Sequence, residues 1–206
     1  ITCGANVNFD RLRIIAERSE LGEDKEALLA ISLPEQRGSF LKLCETLGNR
    51  HITEFNYRME DSNTAIVFAG IEVKDSKEKT KTLKALKAHG FKVFDLSEDE
   101  ISKSHIRHMV GGKSNLTDNE KLFKFDFPER PGALTNFLSK MHPSWNISLF
   151  NYKNNGTDSG KILIGLQVPE DEGHLLEKFL KQLAYEYTNE SKNVAYKLFL
   201  NKKPLR

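Results

Sequence analysis

The strongest constraint on this 206-residue chain is that one pattern occurs in it twice. Leu33-Pro34-Glu35-Gln36-Arg37-Gly38-Ser39-Phe40 returns as Phe127-Pro128-Glu129-Arg130-Pro131-Gly132-Ala133-Leu134. Ile52-Thr53-Glu54-Phe55-Asn56-Tyr57-Arg58 returns as Ile147-Ser148-Leu149-Phe150-Asn151-Tyr152-Lys153, and one inserted residue between the two blocks brings the copies into register. Self-similarity of this length implies two copies of one supersecondary unit. The chain is long enough to give each copy a modest core of its own, at roughly 90 to 100 residues per copy.

Each copy reads as strand, helix, strand, strand, helix, strand. In the first, Ala27 to Leu33 is a near-continuous apolar run, as expected of a central strand buried on both faces. Phe40, Leu43, Cys44 and Leu47 recur at helical spacing and stop at Gly48. Strands around Ile52 to Arg58 and Ala65 to Val73 flank the turn residues Asp61-Ser62-Asn63. A helix carrying Leu83 and Leu86 ends at Gly90, and Phe91, Val93 and Phe94 mark the fourth strand. In the second copy Phe123, Phe125 and Phe127 alternate with Lys124 and Asp126, making one strand face apolar. Leu134, Phe137, Leu138 and Met141 repeat the first helix, Ile162 to Val168 the third strand, and Leu175 to Leu183 a strongly amphipathic second helix. Tyr185 to Thr188 is a weaker fourth strand, and Val194 to Leu200 reads as an additional strand without a counterpart.

Asn8 caps a helix running to Gly22 that resembles neither copy. Between the copies, Ser97 precedes Glu98, Asp99 and Glu100, while Arg107 and His108 precede Gly111-Gly112. Acid first and base last suits the helix dipole and predicts a capped linker helix. The fold class is α+β, with two tandem βαββαβ (ferredoxin-like) subdomains of antiparallel sheet preceded by an N-terminal helix. The expected boundaries are 1–22 for the leading helix, 23–97 for the first subdomain, 98–115 for the linker helix and 116–206 for the second subdomain. A βαββαβ unit covers one sheet face with its helices, so the expected cover of the other face is the second copy or another subunit.

The net charge of +2 leaves no cationic surplus for a polyanion. The same element order builds RNA-recognition modules, but their third strand carries exposed aromatics and a basic signature, and Ala65-Ile66-Val67-Phe68-Ala69-Gly70 and Ile162-Leu163-Ile164-Gly165-Leu166 supply neither. Nucleic acid is therefore not an expected partner. Cys3 and Cys44 form no disulfide framework, which fits a reducing compartment, and the four Asn-x-Ser/Thr matches are permissive. No stretch approaches the roughly 20 apolar residues of a membrane span. The chain opens at Ile1, so a missing targeting signal carries no information. His105 and His108 have metal-capable spacing but no third ligand nearby in sequence, and read as surface histidines. Lys77, Lys79, Lys81, Lys84 and Lys87 read as a solvated helix face.

The repeated turn residues are the candidate site. Pro34/Gly38 and Pro128/Gly132 stand between first strand and first helix, where glycine admits backbone closed to other residues and helix N–H groups can receive a carboxylate. The alternative is an ordinary tight turn. Strand alternation places Phe55 and Tyr57 on one face with Asn56 and Arg58 on the other, and does the same for Phe150, Tyr152, Asn151 and Lys153. Tyrosine and cation can then share a ligand only at a strand edge or an interface between units.

Thr2-Cys3-Gly4-Ala5-Asn6-Val7-Asn8-Phe9, Glu17-Arg18, Glu20-Leu21-Gly22, Thr53-Glu54-Phe55-Asn56-Tyr57-Arg58, His108-Met109-Val110-Gly111-Gly112-Lys113 and Trp145-Asn146-Ile147-Ser148-Leu149-Phe150-Asn151-Tyr152 occur in one order. In this ordered set the chain resembles the biosynthetic threonine ammonia-lyase (threonine dehydratase) family over essentially its whole length. The resemblance implies a C-terminal regulatory region of tandem ACT-like subdomains, with residues 1–22 the tail of a catalytic domain. It implies isoleucine as inhibitor, valine as antagonist, a homo-oligomer, and a cytoplasmic or plastid-stroma setting. Tyr57 and Tyr152 match the family's effector-site tyrosines. Lys113 and Lys153 stand where arginines are common, and lysine keeps the charge without the planar fork. Pyridoxal phosphate belongs to the parent enzyme. Its Schiff-base lysine and phosphate loop are not expected here, so this chain alone is expected to have no lyase activity. Cys3 stands where the family has serine near the cofactor's pyridine nitrogen, and a thiol is a weaker partner there. A subunit-assembly scaffold that binds no effector is the alternative reading.

Overall fold

The computed structural model describes residues 25–128, 130, 132–153 and 159–202. The expected leading helix and Cys3 lie outside them. The first half comprises β1 (Glu26–Pro34), α1 (Ser39–Leu47), β2 (Ile52–Arg58), β3 (Thr64–Glu72), α2 (Ser76–Ala88) and β4 (Lys92–Asp95). After a linker with a short helix α3 (Glu100–Ser104), the second half comprises β5 (Glu120–Pro128), α4 (Ala133–Ser139), β6 (Asn146–Lys153), β7 (Ser159–Gln167), α5 (Gly173–Leu183) and β8 (Tyr187–Asn189). Both halves have the expected βαββαβ order, and all pairings are antiparallel.

The halves join edge to edge in one eight-stranded sheet of order β4-β1-β3-β2-β6-β7-β5-β8. This corrects the expectation that the second copy covers the open sheet face. The seam follows from the repeat itself, because Phe55-Asn56-Tyr57 pairs antiparallel with its own copy. Phe55 faces Tyr152, Asn56 faces Asn151 and Tyr57 faces Phe150. A segment paired antiparallel with its own copy generates a twofold relation through the central pair, here Asn56 and Asn151. Asn151 Nδ2 donates to Asn56 Oδ1 at 2.7 Å across that axis.

On the helical face, one apolar core runs through both halves, from Leu29, Ile31 and Leu43 to Phe125, Phe137 and Leu180. The Phe55 and Phe150 rings meet edge to face at 5.2 Å across the seam, and α1 packs beside α4. Burying one such aromatic contributes roughly 1.5–3 kcal/mol, so the seam is as well packed as either half.

The linker departs from the expected continuous helix. Asp99 Oδ2, rather than Ser97, caps α3 by accepting the Ser102 N–H at 2.7 Å. The helix breaks at His105 and a 3₁₀ turn follows over Ile106–His108. Ser97 Oγ instead accepts the Leu28 N–H at 3.2 Å. The extra strand expected over Val194 to Leu200 is a helical turn, Tyr196–Leu200, closed by the Asn201 N–H on the Tyr196 carbonyl at 2.8 Å. Its Tyr196 and Leu200 pack on Leu122, Leu149 and Leu163 of the second half's outer sheet face. The mostly apolar run that reads as a strand covers a neighbouring sheet instead.

Candidate effector site at the seam

The two repeated turns arrive at matching places. Gly38 (φ 85°) and Gly132 (φ 81°) both take left-handed backbone and start α1 and α4, a conformation that disfavours any side chain. Each turn faces the opposite half. Arg37, Gly38, Phe40 and Leu41 form one wall of a cleft whose other wall is Leu138, Met141, His142, Trp145, Asn146 and Ile147. The counterpart cleft sets Phe127, Pro128, Arg130, Gly132 and Leu134 against Arg50, His51 and Ile52, with Tyr152 and Ile162 at its base.

The clefts are unequal. The first encloses about 310 Å³, at the small end of the roughly 300–1,000 Å³ usual for small-molecule sites. The second encloses about 40 Å³, too little for an amino acid. Arg50, which lines the second cleft, donates through Nη1 to the Leu47 carbonyl at 2.5 Å and lies 3.7 Å from Glu78.

Tyr57 is buried beside the first cleft, its ring edge-on to Phe40 at 4.7 Å. Its hydroxyl donates to Glu35 Oε2, and Asn146 Nδ2 of the other half donates to Glu35 Oε1 at 3.2 Å. Burial raises the Glu35 carboxyl above its ordinary value, with the Tyr57 and Asn146 hydrogen bonds opposing. Burial, then the adjacent Glu35, pushes the Tyr57 hydroxyl up, so it stays a donor. At the far wall Ser144 Oγ and Trp145 Nε1 donate to Glu172 Oε2 at 2.5 and 2.7 Å, and these bonds, Ser144 foremost, hold the Glu172 carboxyl low.

Arg58 and Lys113 lie on the opposite sheet face from the tyrosines. Arg58 binds Glu120 at 2.5 Å, the Gly112 carbonyl at 2.9 Å, the Ser148 carbonyl at 3.2 Å and the Leu200 carbonyl at 2.7 Å. Glu120 also accepts from Ser148 Oγ at 2.5 Å and from the Tyr196 hydroxyl at 2.8 Å. This network joins β2, the linker, β5, β6 and the C-terminal turn. The first half holds its counterpart, in which Arg107 binds Glu54 at 2.5 Å and Glu26 at 3.5 Å while Thr53 Oγ1 donates to Glu26. Lys113 is exposed just after the linker. Lys153 ends β6, its backbone paired with Glu54 and Lys161.

The structure thus brings Gly38 to Tyr57 and Gly132 to Tyr152, and separates both pairs from Arg58 and Lys113. Sequence reasoning missed Glu35, Asn146 and Trp145. The repeated Pro-Glu at Pro34-Glu35 and Pro128-Glu129 was a signal for the first. Asn146 and Trp145 precede the repeated strand at positions where the other copy has His51 and Arg50, so the repeat itself hid them.

A pair of ferredoxin-like units joined through their β2-type edges, with turn clefts between them, defines the tandem ACT-like class of regulatory module. A family model described as the C-terminal regulatory domain of threonine dehydratase matches the chain twice, over residues 17–106 and 111–200. The chain belongs to that family. It is 52% identical over 201 residues to L-threonine dehydratase biosynthetic IlvA of Burkholderia multivorans, covering 98% of this chain and 40% of that protein. It is 46% identical to L-threonine dehydratase biosynthetic IlvA of Escherichia coli, covering 97% of this chain and 39% of that protein. Against the chloroplastic biosynthetic threonine dehydratase of Arabidopsis thaliana the identity is 40%, covering 98% of this chain and 34% of that protein. The chain therefore spans about 40% of the length of its bacterial relatives. Among the described residues no helix is long and apolar enough to cross a membrane.

Proposed function

We propose that this chain is the effector-sensing part of a biosynthetic threonine dehydratase, binding isoleucine as inhibitor and valine as antagonist in the seam clefts. The observation that carries the reading is that each cleft takes one wall from each half. A ligand there touches both units, so its occupancy depends on how they are packed. In the open cleft the first-turn N–H groups of α1, with Arg37, receive the carboxylate. Phe40, Leu41, Leu138 and Ile147 take the branched side chain, and Glu35, just outside the cleft's lining, orients Asn146 within it.

Control requires unequal affinity for two arrangements, and a tenfold preference shifts their balance by about 1.4 kcal/mol. The reading places the parent's catalytic domain, its pyridoxal phosphate and any oligomer contacts in the remainder of a longer polypeptide. There the cofactor supplies the electron sink for threonine dehydration, and residues 1–22, with Cys3, belong to that side. Arg58 and Lys113 act on effector response from the outer side of the sheet, and Lys153 through its place at the end of β6, rather than by ligand contact. Calorimetry with isoleucine tests the proposal. Saturable heat that Tyr57→Ala abolishes is expected, and no heat with isoleucine or valine leaves a scaffold of ACT-like modules.

A further inference from the structure

The halves share a fold but not an outer surface. In the first half Ala30 pairs with Phe68 and Phe94, and Ser32 pairs with Ile66 and Lys92, so these rows lie side by side on the face away from α1 and α2. Ile66 is 65% exposed and Phe94 50%, and Met109 of the linker, 55% exposed, borders the same face. A groove of about 380 Å³ runs between this face and the linker, lined by Ala30, Ile66, Phe68, Ile106 and Met109 among others.

The second half acts as an internal control. There Lys124 stands at the Ala30 position and pairs with Leu163 and Thr188, while Asp126 stands at the Ser32 position and pairs with Lys161. Thr188 thus replaces Phe94 and Lys161 replaces Ile66, both exposed. The fold accepts polar residues at these places, so it does not require the apolar ones. A contiguous exposed apolar patch that folding does not need marks an interaction surface. The second half's remaining apolar outer residues are covered by the chain's own Tyr196 and Leu200.

We infer that the Ala30, Ile66 and Phe94 face docks the part of the polypeptide that precedes β1, the catalytic portion of the complete protein. This rests on the regulatory reading above. The occupant follows from length and attachment. The family module is C-terminal, and the chain covers 40% of the first bacterial relative, so the larger part of such a polypeptide enters through Lys25. That entry is the head of β1, the middle strand of the patch, and Ala30 lies five residues along it, roughly 17 Å away. A domain tethered so closely meets the face at about millimolar effective concentration, so a small apolar contact suffices to hold it. The effector clefts lie on the helical side of the same eight-stranded sheet, nearer the seam, so a change in sheet packing connects the two surfaces.

The test is made on the complete polypeptide carrying Ile66→Cys or, as control, Lys161→Cys, labelled with a maleimide and read peptide by peptide in a mass spectrometer. Native Cys44 is buried and does not interfere. Docking makes the Ile66→Cys site label at least about tenfold more slowly than the control, as for a contact formed nine-tenths of the time. Equal rates overturn the inference. Protection that disappears on dilution assigns the face to a second copy and also overturns it. The double variant Ile66→Lys/Phe94→Thr installs residue types the second half already carries, so it tests the surface without threatening the fold. It is expected to expose the labelling of the Met109→Cys site, and an unchanged rate there counts against docking. Isoleucine binding is measured on the same preparations. Protection without isoleucine binding supports docking and refutes the effector reading, whereas binding without protection overturns docking alone.

Discussion

Replacing Arg58 with methionine keeps an apolar stem of similar length and removes the guanidinium. Its side chain and that of Glu120 are each only 3% exposed, so the carboxylate left behind has no route to water. Ser148 Oγ and Tyr196 still donate to it, but the carbonyls of Gly112 and Leu200 lose the Arg58 donor, and that of Ser148 keeps only the Met59 N–H. Breaking a buried pair from one side costs about 3–5 kcal/mol, and the three charge-assisted bonds from the guanidinium to carbonyls, at roughly 1.5–3 kcal/mol each, overlap with that figure rather than add to it. A loss of about 3–5 kcal/mol is expected in urea unfolding at pH 7. The single tryptophan, Trp145, lies in the other half of the molecule and is 2% exposed, so its fluorescence reports whether damage at β2 crosses the seam. Adding Glu120→Leu removes the stranded charge and should recover at least about 2 kcal/mol, since an apolar replacement of a buried pair is often close to neutral. A loss under about 1 kcal/mol for Arg58→Met, or a double variant no better than the single, refutes the argument. So does a Trp145 transition that stays in place while circular dichroism shows earlier melting.

Three further outcomes follow from the same geometry. A Cβ on Gly70 would stand 2.4 Å from Thr53 Oγ1 and 3.0 Å from Glu26, and one on Gly165 would stand 2.7 Å from Glu120 and 2.8 Å from Ser148 Oγ. Gly70→Ala and Gly165→Ala should therefore each lower stability by about 1–3 kcal/mol, and a neutral result in chemical denaturation contradicts the packing. Because one cleft is open and its twin is too small for an amino acid, isoleucine titration should show one site per chain, and two equal, independent sites in calorimetry contradict this. Burial raises the Cys44 thiol from 9.0 to about 12, with Glu45 adding to the effect. The unfolded chain then releases a proton above pH 9 that the folded chain keeps, so this contribution is intact below pH 9 and is lost as pH rises toward 12. By pH 10 it amounts to about 1 kcal/mol, which Cys44→Ala should remove from the difference between urea unfolding at pH 8 and pH 10 under reducing conditions.

The repeat carried most of the fold in plain view. Apolar spacing located the main strands and helices because each contributes one face to one core, and Gly38, Gly48 and Gly132 punctuate them where the backbone turns. The joining of the copies was not legible, because hydrophobic pattern reports faces whereas the seam is made by strand edges. Its clue was the recurrence of Phe-Asn-Tyr, a segment that can pair antiparallel with its own copy. The linker helix was over-read because Ser97 has a capping side chain that folding spends on β1, leaving Asp99 to start a much shorter helix. Val194 to Leu200 differs from the expected strand because a short, mostly apolar run suits a turn laid on a sheet as well as a strand within one. At the site, residues that recur are visible, whereas Asn146 and Trp145 stand where the other copy has His51 and Arg50, and the Asn146–Glu35 hydrogen bond joins the two copies.

Duplication supplies both the site and the means of reading it. Two identical units paired about Asn56 and Asn151 would have two identical clefts and two identical outer faces, and no ligand could distinguish one side from the other. The observed departures from symmetry are specific. Trp145 and Asn146 replace Arg50 and His51 across the clefts, leaving one open and one closed. Ile66 and Phe94 stand where the second half has Lys161 and Thr188, so these matched outer positions are apolar in one half and polar in the other. Arg58 ties the closed half to the linker and the C-terminal turn, while Arg107 returns the linker to the strand that opens the first half. A packing change at the open cleft therefore has a fixed frame on one side of the seam and the chain's point of entry on the other. On the proposed reading, that asymmetry lets occupancy of a small cleft be felt at β1, and restoring symmetry at Ile66 and Phe94 should leave isoleucine binding in place while disconnecting its consequence.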